Sequence, residues 1–295
     1  MDGDTTGSLL VLASAAAFGT LGVLGEVAFG AGVSIPSTLA LRFAVGSLVV
    51  WTGILAHRAL TDGPHPALGL PPREALTAVA LGAVGYAGVS YGFFVGVERM
   101  TAGLAAVVLY TYPLFVVALA AVFLDERVGA RTVVAAGLTL AGVVVISRTG
   151  PGAFDPVGAA ATVGAAVLYA AYIVVSRVTL ESTDERVLTA YVAPAAAASL
   201  ALVAAATNAV TVPSTPTGWG AVVALGVVAT AFAIFAFFAG LARVDAGRAG
   251  VLSTAEPTVA VGLGAVFLGE PVTPAMLAGG ALVVAGVVLV QTAAE

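Results

Sequence analysis

Long apolar segments alternate with short polar connections along the whole chain. A helix that crosses the hydrocarbon core of a membrane, ~30 Å thick, needs about 20 apolar residues. By this criterion the pattern predicts ten helices, at about 7–29, 35–56, 75–97, 102–124, 130–147, 155–177, 187–206, 217–241, 247–268 and 273–292. The longest connection, about 57–74, is too short to form a domain. The sequence therefore predicts an all-α integral membrane protein with ten transmembrane helices.

Composition leads to the same class of protein. Of the 295 residues, 60% are hydrophobic and 9% are charged, whereas a soluble domain carries about 25% charged residues. The lipid bilayer is therefore the expected environment. Cysteine is absent and the two histidines have no other clustered ligands, so we expect no metal and no cofactor. A chain so poor in basic residues is also not expected to bind nucleic acid.

The arginines indicate the orientation in the membrane. If the N-terminus is cytoplasmic, the inner connections hold Arg58, Arg73, Arg127, Arg131, Arg177, Arg186, Arg243 and Arg248. The outer connections then hold only Arg99 and Arg148. Because cytoplasmic connections carry an excess of basic residues, we expect a multi-pass protein of the cell (plasma) membrane with both termini in the cytoplasm.

The two halves of the chain repeat one another. Residues 121–126 read AVFLDE and residues 265–270 read AVFLGE, and a shift of 144 residues also places Arg99 on Arg243 and Pro113 on Pro257. Each half holds five predicted helices, at 7–147 and 155–292. Because five is odd, the second half enters the membrane from the opposite side. This arrangement is an inverted-topology repeat, which is typical of secondary transporters.

Several short motifs in a fixed order give the chain a family resemblance. They are Phe18-Gly19 in the first helix, Arg42-Phe43 in the second, the segment from Ala102 through Pro113 to Glu126, and its second copy from Ala246 through Pro257 to Glu270. In these motifs the chain resembles the EamA-type members of the drug/metabolite transporter superfamily. The resemblance implies two five-helix repeats around a central cavity that helices of both repeats line.

Two matched prolines lie near the middle of predicted helices 4 and 9. Pro113 and Pro257 each remove a backbone donor and clash with the carbonyl group four residues earlier. In lipid, a carbonyl group freed in this way needs a new partner or a water-filled cavity. A packing kink is one interpretation. The match between the two halves favours the other, a binding site at the middle of the membrane.

Three charged residues lie within the predicted spans and away from their terminal two residues. Glu256 precedes Pro257, where a charge costs roughly 2.5–3.5 kcal/mol on insertion scales. It is either a neutral acid bonded to a neighbouring helix or a cavity carboxylate that contacts an amino group or carries a coupling proton. Arg42 and Glu26 lie at similar depths in adjacent helices, so we expect them to pair. A structural ion pair and a contact with substrate are equally compatible with this pattern.

Six tyrosines lie away from the membrane surface, where tyrosine is normally enriched. They are Tyr86, Tyr91, Tyr110, Tyr112, Tyr169 and Tyr172, in predicted helices 3, 4 and 6. Each hydroxyl group needs a partner there. Bonds between helices would supply one, and so would a hydrated cavity with aromatic walls. We therefore include all six among the candidate cavity-lining residues, with the two prolines and the three charged residues.

These features predict a secondary transporter of a small polar or amphipathic metabolite, such as an amino acid, that works by alternating access. Analogy with the resembled family favours export. An intramembrane enzyme acting on lipid or peptide is an alternative, but the spans contain no HExxH motif, no paired aspartates and no histidine. We therefore expect that the protein is not an enzyme. A channel or a purely structural membrane protein is a third interpretation. The coupling ion and the oligomeric state stay open.

Overall fold

The computed structural model describes residues 3–61, 65, 67–99, 105, 108–124, 129–147, 155–268 and 273–291, and every regular element in these ranges is helical. The α-helices are α1 (Gly3–Gly19), α2 (Leu21–Gly30), α3 (Ile35–Leu60), α4 (Pro72–Ala80), α5 (Ala87–Arg99), α6 (Tyr112–Phe123), α7 (Ala130–Ser147), α8 (Pro156–Thr179), α9 (Glu185–Ala206), α10 (Pro216–Gly226), α11 (Ala233–Leu241), α12 (Ala246–Ser253), α13 (Glu256–Leu263) and α14 (Pro274–Gln291). Three π-helical segments occupy Leu81–Tyr86, Val227–Phe232 and Gly264–Leu268.

Many of these helices are long and apolar enough to cross a bilayer. In the described part of the chain there are seven, at Gly3–Gly30, Ile35–Leu60, Pro72–Phe93, Pro156–Thr179, Glu185–Ala206, Pro216–Leu241 and Ala246–Phe267. Shorter apolar helices occupy Tyr112–Phe123, Ala130–Gly142 and Leu277–Gly286. Large apolar side chains such as Leu48, Val122 and Val266 are exposed on the outside. The chain is therefore a multi-pass membrane protein whose regular structure is helical throughout the described residues.

Three helices are interrupted, each beside a threonine. The side chains of Thr20, Thr111 and Thr254 donate hydrogen bonds of 2.7, 2.7 and 2.6 Å to the carbonyl group three residues earlier. Such bonds compete with the regular helical pattern. The first break divides the predicted helix 7–29 into α1 and α2. The breaks at 110–111 and 254–255 come just before Pro113 and Pro257, so the predicted irregular backbone is found in both halves.

The π-helical segments add a second kind of irregularity. Leu81–Tyr86 lies between α4 and α5, and Val227–Phe232 lies between α10 and α11, so the corresponding span of each half contains one. In the second segment the Thr230 side chain donates a 2.9 Å hydrogen bond to the carbonyl group of Leu225, five residues earlier. A π-turn changes the direction of the side chains that follow it, and such turns are frequent at functional sites.

Glycines permit close contact between α7 and α14, which pack most extensively against each other. A Cβ atom at Gly142 would lie 2.5 Å from the carbonyl oxygen of Gly279. At Gly286 it would lie 2.7 Å from the carbonyl oxygen of Ala135. Small residues allow this approach, which is how helices associate in membranes.

The repeated segments AVFLDE and AVFLGE are described only in part. Their last residues, which include Glu126 and Glu270, lie outside the described residues.

Candidate substrate-binding cavity

A cavity of about 460 Å³ lies among helices of both halves. Its walls include residues beside all three helix breaks. The lining residues are Phe18, Gly19, Leu21, Gly22, Gly25, Phe29, Thr38, Leu39, Arg42, Tyr86, Val89, Ser90, Phe93, Leu109, Tyr110, Tyr112, Tyr169, Leu225, Glu256 and Ala260. Irregular backbone leaves polar groups that need partners. The breaks bring these groups to a cavity, where water or a ligand can supply the partners.

Arg42 is positioned by the start of α3. Ser37 accepts a 2.8 Å hydrogen bond from the backbone N–H of Thr211 and donates a 3.0 Å bond to the carbonyl group of Ala209, which fixes this end of the helix. Just over one turn later, Arg42 is only 4% exposed. Its guanidinium carbon lies 4.7 Å from the ring centre of Phe43 and 6.0 Å from that of Tyr86, within the range of cation–π attraction.

Two polar atoms at this wall lack a hydrogen-bond partner among the described residues. They are Nε of Arg42 and the hydroxyl oxygen of Thr38, both buried. Buried polar atoms are almost always paired with protein, water or ligand. Both residues also line the cavity, so the two unpaired atoms lie directly behind the surface that an occupant of the cavity would contact.

Glu256 begins α13 directly after the break at 254–255. Its carboxyl group lies near the hydroxyl group of Tyr110 and within electrostatic range of Arg42. Among the described residues Glu256 forms no direct ion pair with Arg42. The start of a helix also favours a negative charge, because the helix dipole is positive there. The cavity therefore contains one cation from the first half of the chain and one carboxyl group from the second.

Aromatic rings form a continuous network around these charges. Ring centres lie 4.8 Å apart in Phe43–Tyr86, 5.6 Å in Tyr86–Tyr172, 6.1 Å in Tyr169–Tyr172 and 4.5 Å in Tyr112–Tyr169. Tyr112 is 1% exposed, and its hydroxyl group donates a 3.2 Å hydrogen bond to the carbonyl group of Gly250. Tyr172 is packed behind the lining, and its buried hydroxyl group has no partner among the described residues.

The structure brings six of the eleven candidate residues together at the cavity wall: Arg42, Tyr86, Tyr110, Tyr112, Tyr169 and Glu256. Pro113 and Pro257 directly follow the lining residues Tyr112 and Glu256 in the first turns of α6 and α13. Tyr172 lies one layer behind the wall.

Two candidates lie elsewhere. Tyr91 is 50% exposed and outside the lining. Glu26 is exposed as well and, among the described residues, forms no ion pair with Arg42, so the expected Glu26–Arg42 pair is not present in this structure. The sequence predicts how deep a residue lies in the membrane, but it does not predict the direction in which the side chain points. For this reason Tyr91 and Glu26 were selected although they lie outside the cavity.

Polar residues that the sequence-based selection missed also line the cavity. Thr38 and Ser90 are the clearest, since the selection considered only prolines, charges and tyrosines. A hydroxyl group within an apolar span also needs a partner, which was the available signal. Within the described ranges, no group of three or more His, Asp or Glu side chains could hold a metal ion.

A helical membrane architecture with a cavity shared by both halves is typical of membrane transporters. Comparison with known protein families makes the class specific. The model of the EamA-like transporter family matches residues 5–148 and, a second time, residues 156–292. The chain therefore belongs to the EamA-like transporter family, which confirms the resemblance found in its motifs.

Similar proteins carry the same general description. The chain is 30% identical over 219 residues to an uncharacterized transporter of Archaeoglobus fulgidus, covering 70% of this chain and 75% of the relative. It is 40% identical over 79 residues to the uncharacterized transporter YwfM of Bacillus subtilis, covering 27% of each. The chain also matches a protein of known crystal structure with a TM-score of 0.83 and 27% identity, over 97% of this chain and 96% of the other.

Proposed function

We propose that this protein is a secondary transporter that exports a small amphipathic metabolite, such as an amino acid, by alternating access. The observation that carries the proposal is the placement of Arg42 and Glu256 in one cavity. One residue comes from each half of the chain, so a substrate held by both connects the two halves. Movement of one half against the other then changes the side from which the substrate is reached.

The chemistry of the walls supports a zwitterionic solute. Arg42 and the hydroxyl group of Thr38 suit a carboxylate, whereas Glu256 suits an amino group. The tyrosine rings offer apolar surface to a side chain. A volume of about 460 Å³ falls within the roughly 300–1,000 Å³ of small-molecule sites. A polyanion such as a phosphorylated metabolite would require several cations, and Arg42 is the only one among the lining residues.

Glu256 also offers a means of coupling transport to protons. A positively charged amino group and a proton both neutralise the same carboxylate, so each opposes the binding of the other. A proton that enters from outside would therefore release the substrate there and return with the empty carrier. This exchange supports proton-coupled export.

We further propose ten transmembrane helices in two inverted repeats, 7–147 and 155–292. The helix breaks before Pro113 and Pro257, the π-segments in corresponding spans and the double match of the family model support this architecture. The arginine pattern supports a location in the plasma membrane with both termini in the cytoplasm.

The two ends of the molecule differ in how they are closed. Ion pairs of Asp4 with Arg248 and of Glu185 with Arg243 lie at the proposed cytoplasmic end, whereas the cavity reaches Phe29 near the other end. These positions support a conformer that is open to the outside.

Single cysteines can test the orientation, because the chain has none of its own. Ser182 and Ser214 are both exposed and lie in connections between helices. In intact cells, a membrane-impermeant maleimide should label Ser214→Cys, whereas Ser182→Cys should react only after permeabilisation. The reverse labelling would contradict the proposed topology.

Counterflow in proteoliposomes tests transport itself. Vesicles loaded with unlabelled solute should take up trace amounts of the same labelled solute faster than empty vesicles. Amino acids, nucleosides and sugars form the screen, and amino acids are expected to give the signal. Equal uptake into loaded and empty vesicles would indicate a channel, and the absence of uptake for all amino acids would contradict the proposed substrate class.

A further inference from the structure

A second cavity of about 400 Å³ lies at the side of the molecule, away from the central cavity. We call it the peripheral groove. Its apolar walls are formed by Val50, Gly53 and Ile54 of α3, Val187 of α9, Phe232 of the second π-segment and Phe235 of α11. None of these residues belongs to the lining of the central cavity. The groove is therefore a separate feature that substrate transport leaves unexplained.

The groove is open on the side where the bilayer surrounds the protein. Val49, Val227 and Phe232 line it and are exposed apolar residues. At Gly53 an added Cβ atom would meet no other heavy atom within 4 Å. The absence of a side chain thus leaves an apolar space along α3 that an acyl chain can enter from the lipid.

Basic and imidazole groups occupy one end of the groove. Arg58 lies at the end of α3 and Arg186 in the first turn of α9. His57 and His65 lie beside them, with ring centres 5.6 Å apart. Arg186 takes part in none of the ion pairs formed within the described part of the chain. Its charge is therefore available to an anion from outside the protein.

We infer that the peripheral groove binds an anionic phospholipid of the surrounding bilayer. An acyl chain lies along α3 over Gly53, and the phosphate group contacts Arg58 and Arg186. Charge complementarity supports this occupant, because basic pockets between helices at the cytoplasmic side of membranes bind anionic headgroups. The arginines lie at the end of the molecule that the sequence places in the cytoplasm, where anionic lipids are concentrated.

Native mass spectrometry of the full chain in detergent tests the headgroup. Phosphatidylglycerol and phosphatidylcholine with identical acyl chains are titrated separately. Phosphatidylglycerol should bind more tightly, and replacement of both Arg58 and Arg186 by Gln should remove the preference, at about fivefold in affinity per arginine. Arg73→Gln is the matched control, since Arg73 is exposed at the same end but outside the groove. Equal affinity of the unmodified protein for the two lipids would overturn the inference.

The acyl chain is tested by filling the groove. Gly53→Leu should lower the affinity for both lipids at least tenfold without lowering the melting temperature, because its side chain enters empty space. Gly137→Leu is the control, since Gly137 is likewise unobstructed but lies on α7. Unchanged lipid binding by Gly53→Leu would overturn the inference. So would competition by glycerol 1-phosphate at the same concentration as phosphatidylglycerol, which would show a site for free phosphate.

Discussion

The central cavity and the peripheral groove share helix α3 but distribute charge in different ways. In the central cavity, Arg42 is buried and Glu256 lies on another wall, so charges of opposite sign surround the space. In the groove, Arg58 and Arg186 lie at one end of an apolar trough. A zwitterionic solute needs polar partners on several sides, whereas a phospholipid needs them only at its headgroup. The placement of charge relative to apolar surface therefore distinguishes a solute site from a lipid site.

Among the variants that test this comparison, removal of the Glu256 carboxylate should have the largest effect on substrate binding and transport. Glu256→Gln keeps the size of the side chain and removes both its charge and its exchangeable proton. Loss of one member of a buried charge pair costs about 2–5 kcal/mol, so we expect substrate affinity to fall about 30-fold or more and proton-driven transport to stop. Efflux from proteoliposomes with and without a pH gradient measures both.

The matched control for this variant is Glu181→Gln. Its side chain is 66% exposed and forms a 3.6 Å ion pair with Arg177, so the same charge is removed from the surface. Transport by Glu181→Gln should stay normal. If Glu256→Gln keeps the normal transport rate and pH dependence, Glu256 is a structural residue. The proposal that charges of opposite sign in the central cavity bind the substrate would then be wrong.

Two tyrosines should separate the wall of the central cavity from the protein core. Tyr112 is 1% exposed and hydrogen-bonded to Gly250, so Tyr112→Ala should lower the free energy of unfolding by about 3–5 kcal/mol, as for other large aromatic truncations. Tyr169 is only partly buried, so Tyr169→Ala should mainly weaken substrate binding. Thermal unfolding in detergent and a binding titration measure the two effects. Equal losses of stability would show that both rings belong to the core.

Two glycines on α3 should separate the packed part of this helix from its open part. A Cβ atom at Gly46 would lie 2.7 Å from the Cγ2 atom of Thr230, whereas one at Gly53 would meet nothing within 4 Å. Overpacking costs about 1–3 kcal/mol, so Gly46→Ala should lower the melting temperature and Gly53→Ala should not. Similar melting temperatures would contradict the tight contact between α3 and the second π-segment.

The smallest effect is expected for transport by a groove variant. Arg186→Gln changes an exposed side chain outside the central cavity, and such substitutions usually alter free energies by less than about 0.5 kcal/mol. Substrate affinity in detergent should therefore stay within about twofold of normal. A larger loss, measured with the same titration, would mean that the two sites are energetically coupled.

The long apolar helices could be predicted from the sequence, because about 20 consecutive apolar residues suffice to cross a membrane. The matched prolines likewise indicated the breaks at 110–111 and 254–255, since proline removes a backbone donor. The break at Thr20 and the π-segments were not predicted. A threonine forms the same local bond in regular helices, so a threonine in the sequence does not by itself indicate that the helix is interrupted there.

The kinds of residues that line the cavity could be predicted from the sequence. Which individual residues of each kind line it could be predicted less well. Arg42 and Glu256 were identified because a charge within a span is costly and needs a reason. The same argument selected Glu26, which is exposed, and the corresponding argument for tyrosines selected Tyr91, which is 50% exposed. The rotation of a helix about its own axis is set by contacts with other helices. In a chain with apolar residues on all faces, the periodicity of the sequence carries little information about it.

Binding of matched ligands to charge variants tests the central claim most directly. The ligands are an amino acid, its amide, which lacks the carboxylate, and the corresponding acid without the amino group. Titrations use the unmodified protein, Arg42→Gln and Glu256→Gln. We predict that the unmodified protein prefers the amino acid, that Arg42→Gln no longer distinguishes it from the amide, and that Glu256→Gln no longer distinguishes it from the acid. Full discrimination by both variants would contradict a substrate held between these two residues.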